Sequence, residues 1–319
     1  MNRHLIVLPA VLLLSLGAVR AQEDAKTTAA PKTTLRLKHV EGTTNHFMVA
    51  STMKVAISVA GQDMGQDMDM QMFMEQKVLG VKDGIATVSQ RIYRMKIKAD
   101  SMMAQVDYDS DDENSDAGMM ENATEMLDQT FELKIDASGK VLDVKAPVGF
   151  DPSSMRGVGS YGDMKSFFDR NNIVLPEGPI AVGESWESES ENNMGQMGKM
   201  KVKSTNKLVK IEGGKATIEQ VMKLDTSGMQ MPAEMQMTPG DASGTTVIDL
   251  EKGVVVESAT AMKMTMSGEQ QGMEMNMEMT MGSSMKQTAA PAPKAKKEEA
   301  KTEAKEAAPT PAPVKKDGK

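Results

Sequence analysis

Methionine thioethers are the groups in this chain best placed to do chemistry. There are 33 among 319 residues, many of them on alternate positions. Met68, Met70, Met72 and Met74 form one run, Met262, Met264 and Met266 a second, and Met273, Met275, Met277, Met279 and Met281 a third. Side chains alternate faces along a strand, so each run puts its sulfurs on one side of a sheet. Thioethers are soft ligands suited to Cu(I) or Ag(I), and two at i and i+2 could share an ion. Met68, Met70, Met72 and Met74 are the candidate metal ligands, with copper the alternative to an expectation of no cofactor. The same flexible, polarizable side chains suit a pliable groove for an apolar ligand or polypeptide. The second and third runs are the candidate ligand-binding residues. The plainer reading is a half-buried strand with Met in place of Val or Leu, since Lys263, Thr265, Glu274, Asn276, Glu278 and Thr280 fill the positions between. A weaker role is an oxidant sink, because exposed Met forms a reducible sulfoxide.

Other chemistry is sparse. There is no cysteine, which excludes thiol catalysis, thiolate metal sites and disulfides. His39 and His46 have no partner placed by spacing, and neither a Gly-x-Ser-x-Gly elbow nor a His-Glu-x-x-His helix occurs. A non-enzymatic protein is expected, with metal buffering and then an uncharacterised enzyme as alternatives. Asp107, Asp109 and Asp111 have the opening spacing of a calcium loop, but Asp112 stands where its turn glycine belongs and Gly118 where its bidentate Glu belongs. A solvated acidic loop is the better reading. Gly157, Gly159 and Gly162 match a dinucleotide pattern without the βαβ context that gives it meaning.

The ends of the chain point to export. Residues 1–21 read as a signal peptide: Arg3 and His4, then an apolar run too short for a comfortable span, then Val19-Arg20-Ala21 before the cleavage point. A periplasmic or secreted protein is expected, with no transmembrane segment after cleavage. The net charge is −8; losing Arg3 and Arg20 makes it −10, and setting aside the nine Lys and five acids of 286–319 leaves −14 on residues 22–285. That acidic body argues against nucleic acid. Residues 22–33 read as a flexible leader. Residues 286–319 form an Ala/Pro/Lys-rich tail, read as disordered, that is either a solubilising tail or a contact to an anionic envelope surface.

The elements that must carry the methionines are mainly strands. Residues 34–40 and 48–59 alternate. Residues 81–90 align without gaps with 211–220: Gly84, Ala86, Thr87 and Gln90 recur as Gly214, Ala216, Thr217 and Gln220. A second hairpin echo links Gly139 to Gly253. Two landmarks in the same order imply an internal duplication. Helices are expected over 116–127 and 161–170, the latter with Met164, Phe167 and Phe168 on one side. Turns are expected at 267–272, between the second and third methionine runs, and at 232–234. The predicted fold is mainly β: two similar antiparallel, curved, half-barrel-like units, 34–160 and 182–285, joined by a helix and linker at 161–181.

Several stretches carry a family resemblance. They are Leu35-Arg36-Leu37-Lys38, residues 106–110, the 131–143 hairpin, and the Leu175-Pro176-Glu177-Gly178-Pro179 link running to Trp186. The chain resembles the domain of unknown function 6263 family over about 34–285. The resemblance implies an exported β-rich envelope protein and supplies no activity or site residues. The expected role is therefore a binding or structural protein whose partner is an apolar small molecule or an envelope component.

Overall fold

The computed structural model describes residues 31–102, 105–118, 121–150, 164–169, 172–193, 198–230, 235–270 and 272–292. The elements run β1 (Lys32–Thr33), β2 (Thr44–Val59), β3 (Gln62–Lys82), β4 (Ile85–Ser101), β5 (Gln105–Asp109), α1 (Glu121–Thr124), β6 (Thr130–Asp136), β7 (Val141–Lys145), α2 (Met164–Asp169), β8 (Ile180–Ala181), β9 (Ser185–Asn193), β10 (Lys199–Glu212), β11 (Lys215–Asp225), β12 (Met235–Asp249), β13 (Val254–Gln270) and β14 (Met273–Thr288). The signal segment, most of the leader, the glycine pattern at 157–162 and the tail beyond 292 lie outside the described residues.

Among the described residues, twelve strands form one antiparallel sheet ordered β7-β6-β4-β3-β2-β14-β13-β12-β11-β10-β9, with β5 beside β4. Each half is a meander, and β14 lies against β2 from Met275↔Val59 to Thr288↔His46. The two expected units are therefore continuous through that ladder. The sheet is not closed into a barrel: β7 and β9 are its edges. Helix α2 touches both, so the sheet curls until its edges flank the helix.

The hairpin turns follow from local chemistry. Asp83 and Gly84 both have positive φ between β3 and β4, as Gly213 and Gly214 do between β10 and β11. This is the backbone that matches the twist of paired strands. Both hairpins carry a register shift at the equivalent point, between Val78/Gly80 and between Leu208/Lys210. Each also pairs two amides across the ladder, Gln76 with Gln90 and Asn206 with Gln220.

Four expectations need correction. Residues 34–40 are not a strand; they cross between turns, with Leu37 N donating to Ala137 O at 2.9 Å and Lys38 N to Gly253 O at 2.8 Å. Their alternation still buries Leu35, which fills the second core beside Leu175 and Leu208. Of the helix expected over 116–127, the described residues hold α1 alone, and Asp116 accepts from the Gly118 amide at 2.8 Å ahead of it. Ser267 to Gln270 remain in β13 and pair with β14, so the connection over 267–272 is shorter than expected. At the margins, Lys32 and Thr33 of the leader pair with β8, and residues 286–288 extend β14 because Lys286 and Thr288 find ladder partners on β2.

Two apolar cores result. One joins β2, β3, β4, β6, β7 and α2 around Met72, Met95, Ile97 and Phe131. The other joins Leu35, Ile173, Leu175 and Ile180 to β10, β11 and β12.

Candidate functional site

The register puts every methionine run on one face. Met74, Met72 and Met68 lie opposite Phe47, Val49 and Met53 of β2. Met285, Met281, Met279 and Met277 lie opposite Val49, Met53, Val55 and Ile57. Met262, Met264 and Met266 lie opposite Met281, Met279 and Met277. Strand partners share a face, so this is one surface. The reverse face carries Lys54, Asp67, Lys263, Asn276 and Glu278, as the intervening polar positions demand.

Burial divides this surface. Met70 and Met72 are buried in the first core, with Met68 and Met74 packed against it. Met262, Met264, Met266, Met275, Met277, Met279 and Met281 are half-buried and join neither core; Met273 is exposed. Thus the four candidate metal ligands are mostly core residues, and the candidate ligand-binding run is the accessible part.

Residues 37–43 of the crossing segment lie over the sheet and leave a cavity of about 360 Å³ beneath them. That size suits a small ligand. Its floor is Phe47, Val49, Met72, Met74, Ile92, Leu133 and Met285; its roof includes Leu37, His39, Val40 and Thr43; Gly253 and Val255 close one side. Asn45, Gln76 and Gln90 supply amides to the wall. Their bonds are long: Gln76 Nε2 donates to Gln90 Oε1 at 3.5 Å, and Gln90 Nε2 to Met74 Sδ at 3.5 Å. Each amide has two donors and two lone pairs, so capacity is left for a polar group on a guest. Asn45 Oδ1 accepts from Gln287 Nε2 at 3.0 Å. Burial holds the His39 imidazole below the ordinary histidine value, outweighing a hydrogen bond to the Asp136 backbone that acts the other way. Its Nε2 is buried without a hydrogen-bond partner among the described residues.

Sequence reasoning missed the roof and the amides. A signal existed for Gln76: it continues the even-numbered apolar series of β3 between Met74 and Val78, a polar residue in an apolar period. The acidic stretch is a charge cluster on another part of the sheet. Arg94 reaches Asp109 at 2.7 Å and Asp111 at 3.0 Å, and Lys96 reaches Asp109 at 2.9 Å. These cations hold Asp109 far below the usual carboxylate range, Arg94 most strongly.

Comparison with known proteins adds the following. A family model described as "Family of unknown function (DUF6263)" matches residues 83–152 and 154–255. No curated protein matches. A lipovitellin structure concerned with lipid–protein interactions is similar at TM-score 0.48 and 10% identity, over 80% of this chain and 26% of that one. This chain thus spans about a quarter of the lipovitellin chain. OpdQ from Pseudomonas aeruginosa is similar at TM-score 0.23 and 8% identity, over 77% and 99%. The translocator domain of the autotransporter NalP from Neisseria meningitidis gives 0.15 and 9%, over 76% and 88%. At these values the function has to be read from the site itself.

Proposed function

Given that the chain belongs to the DUF6263 family, whose function is unknown, we propose that it is an exported, non-enzymatic binding protein of the envelope. It takes an apolar or amphipathic small molecule into the cavity beneath residues 37–43. The single observation that carries this is the cavity: about 360 Å³, with an apolar floor, a roof in which Leu37 and Val40 stand beside His39 and Thr43, and a few amides at one wall. Small-molecule sites share that make-up, in which apolar area supplies affinity and few polar groups fix orientation. The methionines extend the floor. The Met285, Val49 and Met72 row faces the cavity, and the Met281, Met53 and Met68 row lies four residues further along each strand. A guest longer than the cavity can run onto that pliable surface.

The two halves read as copies of one unit, because turn, register shift and amide pair recur at a spacing of 130 residues. In the second copy the amides are absorbed: Gln220 Nε2 donates to the buried Asn206 at 2.9 Å, and Asn206 Nδ2 to Ser188 Oγ at 3.0 Å. In the first copy the equivalent pair borders the cavity.

Native mass spectrometry of protein purified from its own envelope, with extraction of bound apolar molecules, tests the reading. A Val255→Trp variant should fill the cavity and displace the guest. A protein that is repeatedly empty, and whose affinity for a fluorescent apolar probe is unchanged by Val255→Trp, overturns it.

A further inference from the structure

We propose that the row Met262, Met281, Met53 and Met68 binds a soft monovalent metal ion, Cu(I) or Ag(I), through thioether sulfur alone. The row comes from tertiary pairing: Met262 lies opposite Met281, Met281 opposite Met53, and Met53 opposite Met68. Directly paired residues place their Cβ atoms about 5 Å apart, and methionine's flexible side chain lets neighbouring sulfurs converge on one ion. The row is bounded by Ala242 beyond Met262 and Ala99 beyond Met68. The next row towards the cavity is Gly244, Thr260, Ser283, Ser51 and Met70; the first four are short side chains that leave room beside the sulfurs, and Met70 is buried in the first core. On the other side, Met264 and Met279 also lie opposite each other and can complete a coordination sphere.

The four methionines are half-buried, so the sulfurs are sheltered yet within reach of an ion. Met53, Met262 and Met281 join neither core, and only Met68 touches the edge of one. Packing alone gives no reason for methionine here. Ordering a methionine side chain costs more conformational entropy than ordering a leucine or isoleucine. Neutral soft sulfur selects Cu(I) and Ag(I) over Zn(II), Mg(II) or Ca(II). A thioether has no proton to lose, so binding is independent of pH, unlike a site of imidazole or thiolate. No electron is transferred: the ion exchanges water or a chelator for sulfur.

The test uses the full chain labelled with 13C at the methionine ε-methyls. Ag(I) is titrated at pH 5 and pH 8 against a competing chelator, and Cu(I) likewise under reducing conditions. The expected result is one saturable equivalent of equal affinity at both pH values, with methyl shifts centred on Met53, Met68, Met262 and Met281. M262L/M281L, which keeps apolar volume, should weaken binding at least about tenfold, or about 1.4 kcal/mol. M126L, inside the first core and away from both the row and the cavity lining, should leave it unchanged. Absence of saturable binding, shifts spread over other methionines, or affinity that rises with pH overturns the proposal. The methyl shifts of the unaltered protein decide the matter even if a variant does not fold. The row lies beyond the cavity's own lining, although a longer guest would share its surface, so an empty cavity leaves the expectation intact.

Discussion

Gly253→Ala probes the segment that roofs the cavity. Gly253 has φ +63°, and a Cβ there would fall 2.5 Å from the backbone nitrogen of Lys38 and 2.4 Å from its Cγ. A flexible tip could move away, but a backbone nitrogen held by its own hydrogen bond cannot do so cheaply. Lys38 N donates to Gly253 O at 2.8 Å, and Lys38 Nζ donates to the carbonyls of Leu250 and Glu251 at 2.9 Å each. Left-handed backbone costs an alanine about 1–2 kcal/mol. Overlap adds about 1–3 kcal/mol, and loss of the backbone bond about 1 kcal/mol. The expected destabilisation is therefore about 3–6 kcal/mol. With a urea m-value near 3 kcal/mol/M, the midpoint falls by about 1–2 M. The control is Gly84→Ala: φ is +78°, but nothing lies within 4 Å of the added carbon. It should carry the backbone cost alone. Urea unfolding of both variants at constant m is the assay, with probe affinity measured alongside. Equal midpoint shifts for the two would refute the close approach of residues 34–40 to the β12–β13 turn, and with it the roof of the cavity.

Three further outcomes are expected. Burial lowers the His39 pKa on folding, so the unfolded chain takes up a proton first. Stability should be complete above the unfolded value of about 6.5 and decline as pH drops below it; His39→Gln should flatten melting temperature between about pH 5 and 7, and an unchanged slope would argue against a buried imidazole. The Asp109 pKa is depressed, chiefly by Arg94, so its contribution is present above the unfolded value of about 3.9 and lost as pH falls below it. Asp109→Asn should cost about 1–2 kcal/mol at pH 7, allowing for partial exposure, and remove that acid dependence, as read by denaturant titration at pH 7 and pH 3. Peroxide should oxidise Met102 (77% exposed) and Met273 (44%) well before Met95 and Met126 (both 0%), measured by peptide mass spectrometry; early oxidation of Met95 would contradict the first core.

Much of the fold was legible because side-chain alternation is a local property. Period-two runs at Met68–Met70–Met72–Met74 and Met262–Met264–Met266 could only put their sulfurs on one side of a strand, and strands they are. Asp83-Gly84 marked its hairpin because few residues accept positive φ at a tight turn. The failures have a common cause. Residues 34–40 alternate like a strand, but Leu37 and Lys38 give their amides to the turn carbonyls of Ala137 and Gly253, and Leu35 fills a gap between turns. Residues 116–127 have a capping Asp and helix-forming residues, yet Met126 is drawn into the first core and the helix ends at Thr124.

The cavity was not legible for the same reason. Its floor comes from β2, β3, β4, β6 and β14, its roof from residues 37–43, and one wall from the β12–β13 turn. No spacing along the chain encodes that meeting. The sequence by itself determined that the methionines stand on sheet faces, that no thiol chemistry is possible, and that polar residues oppose them. Only the tertiary structure decided that β14 lies against β2. That pairing across more than 200 residues makes three separate runs one surface and sets Met262, Met281, Met53 and Met68 in a single half-buried row, while Met70 and Met72 are buried in the first core. Face is set by the backbone of each residue and its neighbours, whereas register between distant strands is set by which edges remain free to pair.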